Sequence, residues 1–237
     1  MTGLVHTLGI PLGPESDLMG PAPSNPKGHF ESNSLSLLNE GILGLLGGAW
    51  YQPPELPDGW AQSAPMQALA AEARAAFNAV FTEPTWLWKD PRLCVTLPFW
   101  RMVLGDDNVA ILVVRHPLEV ARSLESLYGS SLGVWLDLWE VYNRRAVLGL
   151  KGLPVFVTTY EALLKDPREW LREVSAFLSK AGLQTTDPPR ESIDDFIDRS
   201  LRHTSFGVEE LRDDQLTDAQ RILYETLVSR LGVHSSL

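Results

Sequence analysis

The chain is poor in the features that mark several large classes of protein. It has a single cysteine, Cys94, among 237 residues, so it can form neither an intramolecular disulfide nor a cysteine-based zinc cluster. No apolar run approaches the roughly 18 residues of a membrane-spanning helix. The start Met-Thr-Gly-Leu-Val-His lacks the basic region of a signal peptide. These absences predict a cytoplasmic protein without a membrane span.

Positive charge is also scarce. The chain has 20 Lys and Arg against 30 Asp and Glu, a formal net charge of −10. Such an acidic chain is not expected to bind nucleic acid or an anionic membrane surface. A small anionic ligand stays compatible with this charge, because a few local cations decide its binding. The string Gly-x-x-x-x-Gly-Lys-Ser/Thr is absent, which argues against a P-loop kinase.

The residues that are present predict a globular α/β protein. Hydrophobic residues make up 44 % of the chain and charged residues 21 %, which is typical of a folded domain. Short apolar runs at 86–89, 109–114 and 154–158 predict buried strands, and helical periodicity separates them. This alternation predicts a parallel central sheet flanked by helices in three layers. We expect one domain over 1–237, with 183–237 as a helical C-terminal extension. The predicted helices cover 1–8, 35–47, 64–81, 93–104, 131–149, 167–181 and 214–231, and one more opens at Pro117.

Two of the predicted strands end in a cation that is soon followed by a proline. Lys89 ends the first strand and Arg115 follows the second. Because ligands of open α/β sheets bind at the carboxyl ends of the strands, two cations there predict an anionic ligand. The loop over 11–34 is rich in proline and glycine, and loops of that length in compact domains are usually functional or disordered.

Four strings resemble the bacterial branch of the PAPS-dependent sulfotransferases, where PAPS is 3'-phosphoadenylyl sulfate. Their order and spacing fit that family from residue 1 to about residue 182. The resemblance implies a P-loop NTPase-like fold and transfer of a sulfuryl group from PAPS to a hydroxyl of a small-molecule acceptor. The product would be 3',5'-ADP, and no metal would take part. The strings are Asn25-Pro-Lys-Gly-His-Phe-Glu31, Lys89-Asp-Pro-Arg92, Arg115-His-Pro-Leu-Glu-Val-Ala-Arg-Ser123 and Tyr160-Glu-Ala-Leu-Leu-Lys-Asp-Pro167.

The resemblance also implies which residues bind the nucleotide. Arg115 and Ser123, at the family's spacing of eight, would bind its 3'-phosphate, and a guanidinium beside a helix N-terminus suits that group. Lys89 would stabilise the departing oxygen. Tyr160 would sit beside the nucleotide pocket, although it could equally just close the edge of the sheet. Trp86 and Trp88 are expected in the core instead.

The general base is expected in the long loop. The resemblance favours Glu31, which would take the proton of the acceptor hydroxyl. His29 is the rival, because its unperturbed pKa lies nearer neutrality. Lys27 is a weaker candidate for anion binding, as are Arg202 and His203 beyond the linker.

The chain departs from the family pattern at its start. In the family, a strand and a loop rich in Ser, Gly and Thr, which holds the 5'-phosphosulfate, precede the segment that resembles Met1–Gly9. This first strand and loop have no counterpart here, so we expect residues 1–237 alone to transfer sulfate poorly. The glycine-rich 3'-phosphate loop of the animal branch is not recognisable in 183–237. The alternative is a truncated or degenerate relative that acts as a binding or scaffold protein. A homodimer is compatible with the sequence.

Overall fold

A computed structural model describes residues 1–22, 25–189, 193, 196 and 214–235. The weaker candidates Arg202 and His203 lie outside these ranges. No helix within them is both long enough and apolar enough to cross a membrane. The helices are α1 (Thr2–His6), α2 (Asn33–Leu45), α3 (Ala64–Val80), α4 (Leu93–Leu104), α5 (Pro117–Tyr128), α6 (Leu132–Leu150), α7 (Tyr160–Lys165), α8 (Pro167–Lys180) and α9 (Asp218–Val228).

The sheet has the strands β1 (Ala110–Val114), β2 (Val155–Thr159) and β3 (Gly232–His234) in spatial order β1-β2-β3. β1 and β2 are parallel. β3 is antiparallel to β2. The α/β class is confirmed. The predicted parallel pairing is found between β1 and β2, but the sheet as a whole is mixed. β3 follows α9 after only three residues.

The predicted strand at 86–89 is wrong, because this segment forms no strand and lies outside the sheet. The backbone N–H of Leu87 donates to the carbonyl of Pro11 at 2.7 Å. Leu87 packs with the core beside α8, whereas Trp86 and Trp88 pack with the core between α2, α3 and α4. The apolar alternation that suits a strand also suits an extended segment between two parts of the core. The core position expected for both tryptophans is confirmed.

The two faces of the sheet pack against different helices, as the period of two along a strand requires. Leu112 of β1 and Val155 of β2 share a cluster with residues of α5, α6 and α9. On the other face, Ile111 and Phe156 share a cluster with residues of α1 and α8. The carboxyl ends of β1 and β2 therefore lie between helix layers, where Arg115 and Tyr160 follow them in the chain.

Most helix boundaries agree with the sequence pattern. Predicted helices over 64–81, 93–104, 131–149 and 167–181 match α3, α4, α6 and α8 to within a residue at each end. The helix predicted over 214–231 is shorter, because α9 ends at Val228 and β3 follows. α7 was not predicted. It begins after Thr159, whose hydroxyl accepts the N–H of Ala162 at 3.2 Å.

Replacing Thr217 with alanine should lower the free energy of unfolding by about 1 kcal/mol, the usual scale for an N-cap. The Thr217 hydroxyl accepts the N–H of Gln220 at 3.2 Å, and the Gln220 side chain accepts the N–H of Thr217 at 3.1 Å. Denaturant unfolding measures the loss. The control is Thr226→Ala, because Thr226 is exposed and bonds only its own helix at Ile222. An equal loss in both variants would contradict the role of the cap.

Candidate functional site

The predicted base and the predicted leaving-group cation lie in direct contact. Lys89 donates from Nζ to the carboxylate of Glu31 and, at 3.3 Å, to the carbonyl of His29. Glu31 is only 5 % exposed, whereas the Lys89 side chain is 36 % exposed. The fold thus brings together two charged groups that are 58 residues apart in sequence. The partly exposed ammonium remains accessible to a ligand.

The backbone around Glu31 is held on both sides. The carbonyl of Glu31 accepts the N–H of Met19 at 2.7 Å, and the N–H of His29 donates to the carbonyl of Met19 at 3.3 Å. Between them, Phe30 has φ +56°, a left-handed conformation that costs an aromatic residue roughly 1–3 kcal/mol. Neighbouring hydrogen bonds hold this strained residue, so the position of Glu31 is set by the backbone of the loop.

The other end of the loop is fixed by Asp17. Its carboxylate accepts the hydroxyls of Ser32 and Ser34 and the backbone N–H of Ser34, the last at 3.1 Å. Ser32 is the N-cap of α2 and accepts the N–H of Leu35 at 3.1 Å. Glu31 therefore directly precedes a well-capped helix N-terminus, where a carboxylate is electrostatically favoured.

Arg92 is a third charged group of the site, to which the sequence assigned no role. Its guanidinium lies 3.5 Å from Glu31 Oε2, 3.0 Å from Asp90 Oδ1 and 2.5 Å from Glu40 Oε1. Burial alone would lower the pKa of Arg92, but the charges of Asp90 and Glu40 outweigh it and raise that pKa. Arg92 is thus a permanent cation whose guanidinium is paired with carboxylates of the chain. Its place in Lys89-Asp-Pro-Arg92 was the only sequence signal.

A buried polar cluster holds Asp90, the aspartate that pairs with Arg92. Asp90 and Asn39 are both buried, and Asn39 Nδ2 donates to Asp90 Oδ2 at 2.9 Å. The side-chain oxygen of Asn39, Oδ1, accepts the hydroxyl of Thr96 at 2.9 Å and the indole N–H of Trp100 at 2.8 Å. Sequence reasoning missed this cluster, because a buried Asn within an apolar helix leaves no periodic signal.

Two neighbouring groups that could otherwise act as nucleophile or base are held protonated. Burial, and after it the charge of Asp90, raises the pKa of the Cys94 thiol to about 12. Burial, and after it Cys94, raises the pKa of the Tyr142 hydroxyl, which donates to the carbonyl of Trp50 at 2.7 Å. Both groups stay neutral near pH 7.

Arg115 and Tyr160 meet at the carboxyl ends of the two parallel strands. The Arg115 guanidinium lies over the Tyr160 ring, 5.7 Å from its centroid, and donates to Glu119 at 3.2 Å. The Arg115 side chain is 41 % exposed. Ser123 is exposed on α5, one turn beyond Glu119 on the same helix face. The structure therefore brings together the predicted residues Arg115 and Tyr160, with Ser123 two turns along the helix.

Two surface grooves lie away from these residues. One, of about 690 Å³, runs between α2 and α3 and is lined by residues such as Leu37, Gly41 and Ala76. The other, of about 340 Å³, is lined by residues that include Arg101, Asp106 and Gly149. Neither is lined by any of the predicted site residues.

The arrangement offers two kinds of chemistry. A carboxylate beside a partly exposed ammonium can accept a proton and stabilise charge on a departing oxygen. A guanidinium at a strand end, next to the start of a helix, can bind a phosphate.

Comparisons of the chain with protein-family models, with curated proteins and with solved structures found no match.

Proposed function

We propose that the protein is a PAPS-dependent sulfotransferase that transfers a sulfuryl group to the hydroxyl of a small-molecule acceptor. The observation that carries the proposal is the contact between Glu31 and Lys89. Sulfuryl transfer needs a base for the hydroxyl proton and a cation for the departing oxygen, both close to the sulfur. Glu31 and Lys89 supply these two groups side by side, at the positions where the sequence resembles the sulfotransferases.

The proposed reaction is a direct displacement at sulfur. The acceptor oxygen attacks the sulfur of PAPS, and the bond between that sulfur and the bridging phosphate oxygen breaks. Glu31 takes the proton that the acceptor loses, and the ammonium of Lys89 faces the negative charge that forms on the bridging oxygen. The products are the sulfated acceptor and 3',5'-ADP. For this step Lys89 must turn from Glu31 Oε1 toward the nucleotide, which its partial exposure allows.

The proposed nucleotide contacts lie at the strand ends. Arg115 would bind the 3'-phosphate through two N–H donors, and Ser123 would add a hydroxyl from α5. Tyr160 would orient Arg115, because its ring already lies under the guanidinium. Glu119 is the competing partner, since Arg115 donates to it at 3.2 Å without a ligand.

A second candidate is a non-catalytic relative that serves as a binding or scaffold protein. One observation favours it: Lys89 and Arg115 each already contact a carboxylate of the chain, Glu31 and Glu119. An anion must compete with both carboxylates for these cations. An enzyme of this kind therefore requires a highly charged ligand, such as PAPS. A scaffold has no such requirement.

Two measurements on the protein separate these candidates. Calorimetry with 3',5'-ADP tests nucleotide binding. Incubation with ³⁵S-labelled PAPS and a panel of phenols and alcohols tests transfer. Binding together with labelled product, formed at a low rate, is the result we expect. Binding without product from any acceptor would favour the non-catalytic relative, and the absence of both would contradict the proposed function.

A further inference from the structure

We propose that Asp90 is a positioning residue of the candidate site, which holds Arg92 so that Glu31 stays paired with Lys89 until substrate binds. The effect expected on catalysis rests on the proposed function. The effect expected on Lys89 does not, because it concerns the contacts of the chain itself. Asp90 lies next to Lys89 in the sequence, but its carboxylate is fully buried on the side of α2 and α4.

Asp90 has no oxygen left for chemistry of its own. Its Oδ1 accepts the backbone N–H of Arg92 at 2.8 Å and the Nη1 of Arg92 at 3.0 Å. Its Oδ2 accepts Asn39 Nδ2 at 2.9 Å and the hydroxyl of Ser36 at 3.2 Å. These bonds fill the roughly four lone-pair directions of a carboxylate. Asp90 is therefore neither a base nor a ligand for an anion, and its contacts act on Arg92.

The orientation of Asp90 is itself determined by Asn39. The amide oxygen of Asn39 accepts two donors from α4, Thr96 Oγ1 at 2.9 Å and Trp100 Nε1 at 2.8 Å. The amide nitrogen must then face Asp90, which it contacts at 2.9 Å. Because every group in this buried set is bonded, the cluster ties α2, α4 and the segment from Lys89 to Arg92 into one rigid unit.

One atom of Arg92 is shared between two carboxylates. Its Nη1 lies 3.0 Å from Asp90 Oδ1 and 3.5 Å from Glu31 Oε2, so the bond to Asp90 is the closer one. If Asp90 lost its charge, Nη1 would move toward Glu31, the remaining buried carboxylate nearby. Arg92 would then bind Glu31 Oε2 more closely and draw on the charge that Lys89 shares at Oε1, so the pairing of Lys89 with Glu31 would weaken. Asp90 thus controls how the charge of Glu31 is shared between the two cations.

The first test is the reactivity of the Lys89 amine in Asp90→Asn. The chain has only five lysines, so labelling by an amine reagent can be followed lysine by lysine with mass spectrometry. Lys89 should label roughly 2–5-fold faster in the variant, the scale expected for loss of a partly exposed ion pair. Lys151, Lys165 and Lys180 should not change. The control is Asp106→Asn, which also removes an aspartate from an arginine, Arg101, but at the opposite end of α4 from Arg92.

The second test exchanges the two buried partners in Asn39→Asp/Asp90→Asn. The exchange preserves side-chain size and an amide–carboxylate hydrogen bond, but it moves the negative charge away from Arg92 toward Thr96 and Trp100. We expect it to regain most of the thermal stability that Asp90→Asn loses, while Lys89 still labels faster than in the wild type. The exchange also keeps the proposal testable if the single variant does not fold.

The same variants give a kinetic test. In both, kcat for sulfuryl transfer should fall roughly 10–100-fold with KM for PAPS little changed, because a misplaced base acts on the chemical step. A wild-type protein without transfer activity would overturn the proposed function and leave the Lys89 test standing. Lys89 labelling in the exchange variant at the wild-type rate would overturn the positioning role, and Asp90 would then be only structural.

Discussion

Replacing Glu31 with glutamine is expected to lower kcat for sulfuryl transfer by roughly 10²–10⁴ while affinity for 3',5'-ADP stays nearly unchanged. Glutamine has almost the same shape, and its carbonyl can still accept from Lys89 at the site where the carboxylate does now. It cannot take a proton from the acceptor hydroxyl. The loss therefore falls on the chemical step, and steady-state kinetics with nucleotide calorimetry measure it.

Two variants show whether the effect is specific. His29→Ala should remain active, because the contact that His29 makes to Lys89 uses its backbone carbonyl, which the substitution keeps. Glu72→Gln removes a carboxylate from the exposed face of α3 and should behave as the wild type. If Glu31→Gln were fully active and His29→Ala inactive, the base would be His29, and the assignment of Glu31 would be wrong.

Thermal unfolding distinguishes a catalytic loss from a structural one. Glu31 is buried between Lys89 and Arg92, so removal of its charge leaves two cations with one carboxylate fewer. Lys89 can turn to water, and Arg92 keeps Asp90 and Glu40, so the cost should stay near 1–2 kcal/mol. Activity should be assayed well below the unfolding transition of the variant.

Sequence patterns predicted the helices and strands that show a clear hydrophobic periodicity. Apolar runs gave β1 and β2, and the helical stripe gave α3, α4, α6 and α8, because one face of each element is buried. β3 escaped prediction, since Gly232-Val-His234 is too short to show alternation. The segment 86–89 has the alternation of a strand. Whether an extended segment joins a sheet depends on a neighbouring strand, which is not a local property.

The candidate site was likewise predicted only in part: its residues came from the sequence, but their contacts did not. The residues Glu31, Lys89 and Arg115 came from motifs, but no spacing in the sequence showed that Glu31 and Lys89 touch. The contact of Asp90 with Asn39 spans 51 residues and joins α2 to the segment before α4 through polar groups. Such a cluster has no periodic signature, because burial of an Asn or Asp is tolerated only where a distant partner satisfies it.

Replacing Arg115 with alanine should weaken binding of 3',5'-ADP by about 2–3 kcal/mol, roughly 30–150-fold, the scale for charge-assisted hydrogen bonds to a phosphate. The Arg115 side chain is 41 % exposed, and water screens an exposed charge, so the loss should lie toward the low end of these values. Binding of 5'-AMP, which lacks the 3'-phosphate, should hardly change. Calorimetry with both nucleotides measures the difference.

The surroundings of Arg115 supply the controls. Arg144 also pairs with a glutamate four residues away, Glu140, but on α6 and at 51 % exposure. Arg144→Ala should therefore bind both nucleotides as the wild type does.

Tyr160→Leu should weaken 3',5'-ADP binding by a smaller amount, because Arg115 stays but loses the ring beneath it. Glu119→Gln should strengthen binding, because it removes the carboxylate that competes with the phosphate. Equal losses for 3',5'-ADP and 5'-AMP in Arg115→Ala would show that Arg115 does not bind the 3'-phosphate, since a residue specific for that group leaves the nucleotide without it unaffected.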